Sequence, residues 1–267
     1  QYTGVLAPRN MEIFRSVLQQ KGMADMAPHF LEASGKLSAL LYREEIERVL
    51  RTPGIDGFQM LDLRDYQAQG SALVGILNAF WGSKGLITPE EFRQSCNDVT
   101  LLLKMPKRTW LSNESFTSEL VIPNYGKGTL SNVVVRWQVL HDGKVLLSDS
   151  LRCDHLPQGE VTSCGTIKFP LGQFADKAAQ IQIVLSASSL GINNKYNVWA
   201  YPENQPAEPS DITIAREATP ELLKSIENGA TVLLVPKSWY DGERMTFATP
   251  FWSTLMFDYQ PKTMGVV

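Results

Sequence analysis

The sequence predicts a multidomain chain of mixed class, α/β segments flanking an all-β one, on three observations. Residues 8–95 carry apolar positions at helical spacing around one strand-like run. Residues 99–201 switch to a period of two, and a strand–helix–strand pattern follows a proline-rich break. At 267 residues, 43% hydrophobic and 20% charged, the chain has room for more than one core and an ordinary globular composition. A net charge of -3 without any dense Lys/Arg run gives no electrostatic case for nucleic acid. No stretch approaches the roughly 18 apolar residues of a membrane span. The opening Gln1-Tyr2-Thr3-Gly4 has neither the basic flank nor the apolar core of a signal peptide, and a chain that does not begin with Met reads as an excised segment.

In the first segment, Met11, Phe14, Val17 and Leu18 recur at helical spacing and Gly22 closes that helix. A longer helix runs over about 28–51, with Leu37, Leu40, Leu41 and Leu50 among its apolar positions, and Thr52-Pro53-Gly54 stops it. Residues 57–61 read as a strand. Residues 72–80 read as a helix with Leu73, Val74, Leu77 and Phe80 on one side. Thr88-Pro89-Glu90-Glu91 opens another helix, joining a capping box to a proline at the first helical position.

Candidate strands follow at 100–104, 116–122, 132–140, 144–150, 161–169, 180–187 and 194–201. His141-Asp142-Gly143-Lys144 is a strong hairpin turn and Asn124-Tyr125-Gly126 a weaker one. Strands of this length and spacing describe an immunoglobulin-like β-sandwich over 99–201, with Trp137 and Trp199 as packing residues. Cys153 and Cys164 fall in this region and could pair, although free buried thiols are the default where a chain has only three cysteines. Residues 202–209, with Pro202, Pro206 and Pro209, read as a linker. Beyond it, strands at 211–215 and 231–235 enclose a capped helix at 219–228. This is one βαβ unit in an α/β domain over 210–267 that lacks the strands to complete its layer.

Most reactive constellations are excluded. His29, His141 and His155 have no partner at ligand spacing, and without CxxC or HExxH no metal is expected. There is no GxSxG, and no cysteine has local support for activation. Gly126-Lys127-Gly128 lacks the helix that follows a phosphate loop, and Thr219-Pro220 is a helix cap, so no cofactor is expected. No cysteine follows Cys164, which removes a thiol nucleophile from the terminal βαβ unit. Glu12, Glu32, Glu44, Glu45, Glu47, Glu90 and Glu91 all fall on predicted helices, where they serve solvent or neighbouring helices rather than a reaction.

The stretch GFQMLDLRDYQAQG, residues 57–70, stands apart. If Phe58 and Met60 face surrounding helices, Gln59 and Leu61 face an interior, and a buried amide must find a hydrogen-bond partner. Asp62 then ends the strand and opens a cluster with Arg64, Asp65, Gln67 and Gln69. Carboxylates and amides at this density suit sugars, whose neighbouring hydroxyls both donate and accept. Trp81 would add an aromatic platform. The alternative is a solvated loop closed by an Asp–Arg pair. Gln59, Asp62, Arg64, Asp65, Gln67, Gln69 and Trp81 are the candidate substrate-binding residues.

Several motifs also resemble one known group in the right order: Gln1-Tyr2-Thr3-Gly4-Val5-Leu6, Ala33-Ser34-Gly35-Lys36-Leu37, Leu50-Arg51-Thr52-Pro53-Gly54, Gly57-Phe58-Gln59-Met60-Leu61, Gln69-Gly70-Ser71-Ala72-Leu73-Val74-Gly75 and Ala79-Phe80-Trp81. Together they resemble the late part of the catalytic (β/α)8 TIM barrel in glycoside hydrolase family 2-like proteins of the Bacteroidetes type, in the β-galactosidase/β-glucuronidase superfamily. Thr249-Pro250-Phe251-Trp252-Ser253 and Gln260-Pro261-Lys262 resemble the C-terminal domain of the same group, and the last domain would be glutamine amidotransferase-like.

The resemblance implies retaining hydrolysis of glycans by two glutamates flanking the glycosidic bond. Both would lie upstream of Gln1, so no catalytic residue is carried over and this chain alone is expected to be inactive. Residues 1–98 would be the C-terminal end of the barrel, with 57–61 as its last strand and the following cluster over the substrate cleft. One strand cannot close a barrel, so the expected partners are a carbohydrate substrate and either the remainder of the barrel or another copy of the chain. The resemblance further implies a periplasmic or secreted protein. The competing expectation is a non-catalytic carbohydrate-binding or scaffolding module, with Trp110, Trp239 and Trp252 as candidate contact aromatics, although core packing suits each of them better.

Overall fold

The computed structural model describes residues 9–66, 73–203 and 211–236, and the chain divides into two units, Gln1–Glu203 and Asn204–Val267. Alternating burial builds the larger part of the first unit. In β4 (Leu130–His141), Val133, Val135, Trp137 and Val139 are buried while the residues between them are not. β1 (Leu102–Lys104), β3 (Ser115–Asn124) and β6 (Glu160–Pro170) form an antiparallel sheet in the order β1-β3-β6. β2 (Thr109–Leu111), β5 (Lys144–Leu156), β7 (Ala179–Ala187) and β8 (Ile192–Tyr201) join β4 in a second sheet, β2-β8-β7-β4-β5, antiparallel except where β2 runs along β8.

The two inner faces meet in one core, where Leu101, Leu103, Phe116, Leu120 and Ile122 pack with Val135, Val139, Ile181, Ile183 and Val198. Phe116 lies 5.4 Å from the Trp110 ring and 4.8 Å from Phe169, centroid to centroid. The protein is mostly β-sheet, and the sandwich expected from the period-two pattern is present. The three-residue β2 is an addition, too short to show a periodicity.

The two expected turns part company. At the tip of the β4–β5 hairpin Asp142 (φ 48°) and Gly143 (φ 74°) both lie in the left-handed region, as a type I′ turn requires. Asn124-Tyr125-Gly126 is not a hairpin, because β3 pairs with β1 and β6 and never with β4. The segment instead carries the chain from one sheet to the other. Buried Asn124 holds it, donating to the carbonyls of Gly128 (3.0 Å) and Leu156 (2.9 Å) and accepting from Gly126 N (3.2 Å). Free thiols, the default expectation, are also overturned for two cysteines. Cys153 of β5 and Cys164 of β6 form a disulfide with a Cα–Cα separation of 5.1 Å, fastening one sheet to the other at an edge of the sandwich. Cys96 is free.

α1 (Arg9–Gln20), α2 (Ala27–Leu50) and α3 (Pro89–Ser95) precede the sandwich. Ile46 and Leu50 of α2 pack against Leu102 and Val121, the outward-facing residues of β1 and β3. The three-stranded sheet is therefore covered on both faces near α2, and each buried aliphatic there contributes roughly 1.5–3 kcal/mol. α3 begins with the expected capping box: Thr88 Oγ1 accepts from Glu91 N (3.1 Å) and Glu91 Oε2 accepts from Thr88 N (3.2 Å). Replacing Thr88 with alanine should cost about 1 kcal/mol in urea unfolding, and an unchanged midpoint would mean the cap is not used. The Thr88 backbone N–H, then Lys195, hold the Glu91 carboxyl below the ordinary glutamate value. A lowered folded value makes this a contribution present above the unfolded-state pKa and lost as pH falls through the folded one.

Two expectations in the first segment fail. Residues 57–61 form no strand, and among the described residues no part of a barrel sheet appears. A strand exists only where a neighbour satisfies its backbone groups, and among the described residues none lies alongside, so Phe58 and Leu61 are left exposed. The described part of 72–80 forms no helix either. Leu77 N donates to Leu63 O and Asp65 N to Leu77 O, both at 3.0 Å, and the chain then enters a tight loop at Asn78. The competing side-chain bonds of Asn78 account for the break in an otherwise helical apolar spacing.

In the second unit β9 (Ile212–Ala215) and β10 (Thr231–Leu234) pair in parallel around α4 (Pro220–Glu227), the βαβ arrangement expected. Thr219 Oγ1 caps α4 by accepting from Leu222 N at 3.2 Å. Most of the expected linker, residues 204–209, lies outside the described residues, as does everything after 236. No described helix is long and apolar enough to cross a membrane.

Candidate functional site

Two short segments, 62–66 and 73–84, come together beside α2. Tyr42 of α2 ties them, its hydroxyl lying 2.9 Å from Asp62 O and 3.3 Å from Val74 O. Burial, then Asp62 and Asp65, raise the Tyr42 pKa, so the phenol stays protonated and able to donate. Gly75 passes so close to the other segment that a Cβ there would sit 2.2 Å from the Arg64 carbonyl carbon, leaving room only for glycine. Its N–H donates to Asp65 Oδ1 (3.1 Å), and Lys84 Nζ donates to the same oxygen at 2.6 Å. Asp65 is buried, so its carboxylate is committed to holding the segments together.

The next loop displays aromatics. Asn78 Oδ1 accepts from the N–H groups of Phe80 and Gly82, both at 2.9 Å, while Asn78 N donates to Gly82 O at 2.8 Å. This closes residues 78–82 into a tight turn whose tip carries Phe80 and Trp81 into solvent. Trp81 has φ 66° and is 64% exposed. The Arg64 guanidinium sits 5.2 Å from its ring centroid. Arg64 also donates to Asp65 O at 3.1 Å.

Of the candidate residues, then, Asp62, Arg64, Asp65 and Trp81 are gathered in one region, with Asp65 holding the fold and Trp81 facing outward. Gln59 is exposed, and no hydrogen bond ties it to the others among the described residues. Gln67 and Gln69 lie outside the described residues. Tyr42, Asn78 and Lys84 were not legible as members. Asn78 left a signal in the spacing Asn-Ala-Phe-Trp-Gly, which suits an Asx-stabilised turn. Among the alternative aromatics, Trp110 is buried beneath Lys107 (4.7 Å), while Trp239 and Trp252 lie outside the described residues.

A separate polar network fastens α2 to the sandwich. Glu47, wholly buried, accepts from Arg43 Nε (2.8 Å), Arg51 Nη1 (3.3 Å), Tyr196 Oη (3.1 Å) and Asn194 Nδ2 (3.4 Å). Arg43 donates onward to Asn194 Oδ1 and Lys195 O, both at 2.7 Å. Burial works against the Arg43 charge, but Glu47 and Tyr196 outweigh it and its pKa rises. Burial, then Glu47, push the Tyr196 phenol up, which keeps its proton available to the carboxylate. Every oxygen of Glu47 is occupied, so this carboxylate is structural, but it serves the sandwich strand β8 rather than the solvent or neighbouring helix expected of the helix glutamates.

Residues 114–202 match a family model described as Domain of unknown function (DUF8488), and residues 213–267 one described as Domain of unknown function (DUF8487). A comparison with curated proteins finds no match. Among solved structures, the chain is similar to the CARDB domain of the PF1109 protein from Pyrococcus furiosus, at 16% identity and a TM-score of 0.30 over 40% of this chain and 94% of that one. It is similar to the exo-chitosanase CsxA of Amycolatopsis orientalis, at 15% identity and a TM-score of 0.42 over 61% of this chain and 18% of that one. A β-glucosidase from Listeria innocua matches at 13% identity and a TM-score of 0.28, over 38% of this chain and 16% of that one. The chain thus spans less than a fifth of either enzyme.

Proposed function

We propose that this chain is a carbohydrate-contacting, non-catalytic C-terminal part of a larger family 2-like glycoside hydrolase. The observation that carries this reading is Trp81, a bulky side chain kept at φ 66° with its ring turned to solvent. For a side-chain-bearing residue that conformation costs about 1–2 kcal/mol, and burial of the ring does not offset it. An exposed indole on a tightly bonded loop is suited to stacking against the CH face of a sugar. Asp62, on the segment that Tyr42 ties to this loop's own, would take hydroxyls. The catalytic glutamates would lie outside the chain.

The helical segment supports membership of a larger assembly. Ile13, Phe14 and Val17 of α1 and Leu31, Leu37, Leu40 and Leu41 of α2 are all exposed, more than scattered surface apolars would give. In this reading a separate catalytic domain of the larger protein covers them, with a second copy of the chain as the other candidate. The Cys153–Cys164 disulfide supports a periplasmic or secreted setting, where such bonds persist.

Calorimetric titration of the chain with a panel of neutral oligosaccharides tests the proposal. Trp81→Ala should weaken any sugar bound by tenfold or more, about 1.4 kcal/mol. Binding that ignores this substitution, or no binding across the panel, overturns the site. Aryl-glycoside turnover abolished by a substitution within the chain overturns the non-catalytic assignment.

A further inference from the structure

A concavity lies at the C-terminal end of α2, with a volume of about 610 Å³, within the range of roughly 300–1,000 Å³ typical of ligand clefts. Arg48 and Arg51 come from the helix end, Lys104, Lys107 and Arg108 from β1 and the turn after it, and among the described residues Glu44 is the one acidic wall residue. Five cations around one hollow reverse the sign of a chain whose net charge is -3. Leu103, Met105 and Pro106 add an apolar strip to its lining.

The cations divide into two groups. Arg51 donates to Glu47 Oε2 (3.3 Å) and Leu103 O (3.2 Å), and Arg108 pairs with Glu44 and lies 5.9 Å over the Tyr196 ring, so both are built into the wall. Arg48 and Lys104 are held loosely from outside the hollow, whereas Lys107 is clasped by one carboxylate and lies 4.7 Å over the Trp110 ring. Arg48 meets Glu45 at 3.5 Å, with both side chains at least 70% exposed. Lys104 meets Glu119 at 3.4 Å, and Lys107 meets Glu114 at 2.5 and 2.7 Å, again with solvent access. Glu45, Glu114 and Glu119 do not line the hollow. The exposed Arg48 and Lys104 pairs contribute about 0–1 kcal/mol, so an entering anion displaces them at small cost.

We propose that this cleft binds an anionic oligosaccharide bearing sulfate or uronate groups. Arg48 and Lys104 take the charged substituents, Lys107, Arg51 and Arg108 frame them, and the Met105-Pro106 strip meets the ring. A nucleic acid fits less well, because single strands are held by stacking on exposed aromatics and the rings beside its cations, Trp110 and Tyr196, are buried. The anion site stands on geometry alone, whereas its assignment to a sugar rests on the carbohydrate reading above.

Titration of the full chain with a heparin-derived hexasaccharide, trigalacturonate, the neutral cellohexaose and a single-stranded oligonucleotide of matched charge tests the proposal. The sulfated or the uronate ligand should bind at least tenfold more tightly than the neutral one, and raising salt should weaken it several-fold. The comparison of hexasaccharide with trigalacturonate decides which anion is preferred. The double variant Arg48→Gln/Lys104→Gln, with unchanged far-UV dichroism, should lose tenfold or more, while Trp81→Ala should not alter this binding. Equal affinity for the oligonucleotide, insensitivity to salt or to the double variant, or no binding of either anionic glycan overturns the proposal. Neutral sugars bound through Trp81 without any anionic glycan binding would overturn this cleft alone. Anionic glycan bound here, with neutral sugars failing, would overturn the Trp81 site alone.

Discussion

Replacing Glu47 with alanine will lower the unfolding free energy by roughly 3–5 kcal/mol, the effect of removing one partner from a buried ion pair. The Arg43 and Arg51 side chains are only 17% and 20% exposed, so water cannot readily take the carboxylate's place. Tyr196 and Asn194 lose an acceptor in the same step, and both are buried on β8. Glu47→Gln keeps the volume but not the charge, and should recover only part of the loss. Urea unfolding followed by tryptophan fluorescence measures both variants. A loss under about 1 kcal/mol for the alanine variant would mean that α2 is held by Ile46 and Leu50 without help from the network.

Removing the Cys153–Cys164 bond should cost roughly 3 kcal/mol. The two residues are 11 apart in sequence, and closing a loop of that size removes about this much free energy from the unfolded ensemble. The double variant Cys153→Ala/Cys164→Ala and the reduced native protein should have similar urea midpoints, both below the oxidised form. Thiol titration of the denatured, unreduced protein should find only Cys96. Three reactive thiols, or a midpoint unmoved by reductant, would refute the cross-link.

The sandwich was legible in the sequence because half-buried strands write their burial into a period of two. Val133, Val135, Trp137 and Val139 show it, and Asp142-Gly143 marks the hairpin between β4 and β5. The cap at Thr88 and the βαβ unit were legible for the same local reason. What failed was non-local. Residues 57–61 have the composition of a strand, but a strand also needs a neighbour, and sequence pattern does not supply one. The Asn124 turn was misassigned because a turn residue does not say which sheet receives the chain. At the candidate site, Asp62, Arg64, Asp65 and Trp81 were named from chemistry, yet the commitment of Asp65 to Lys84 and Gly75 depends on a fold-back that no periodicity encodes. The Glu47 network was invisible because Asn194 and Tyr196 lie far along the chain and read as ordinary strand residues.

The burial of Leu102 and Val121 against α2 bears on how the molecule can be divided. A cut between residues 98 and 99, natural from the change in pattern, would release a sandwich with an oily scar on the outside of its smaller sheet. Asn194 and Tyr196 would be left facing the gap where Glu47 had been. Such a piece would tend to self-associate, whereas one that begins before Ala27 and runs through Glu203 keeps the wound closed.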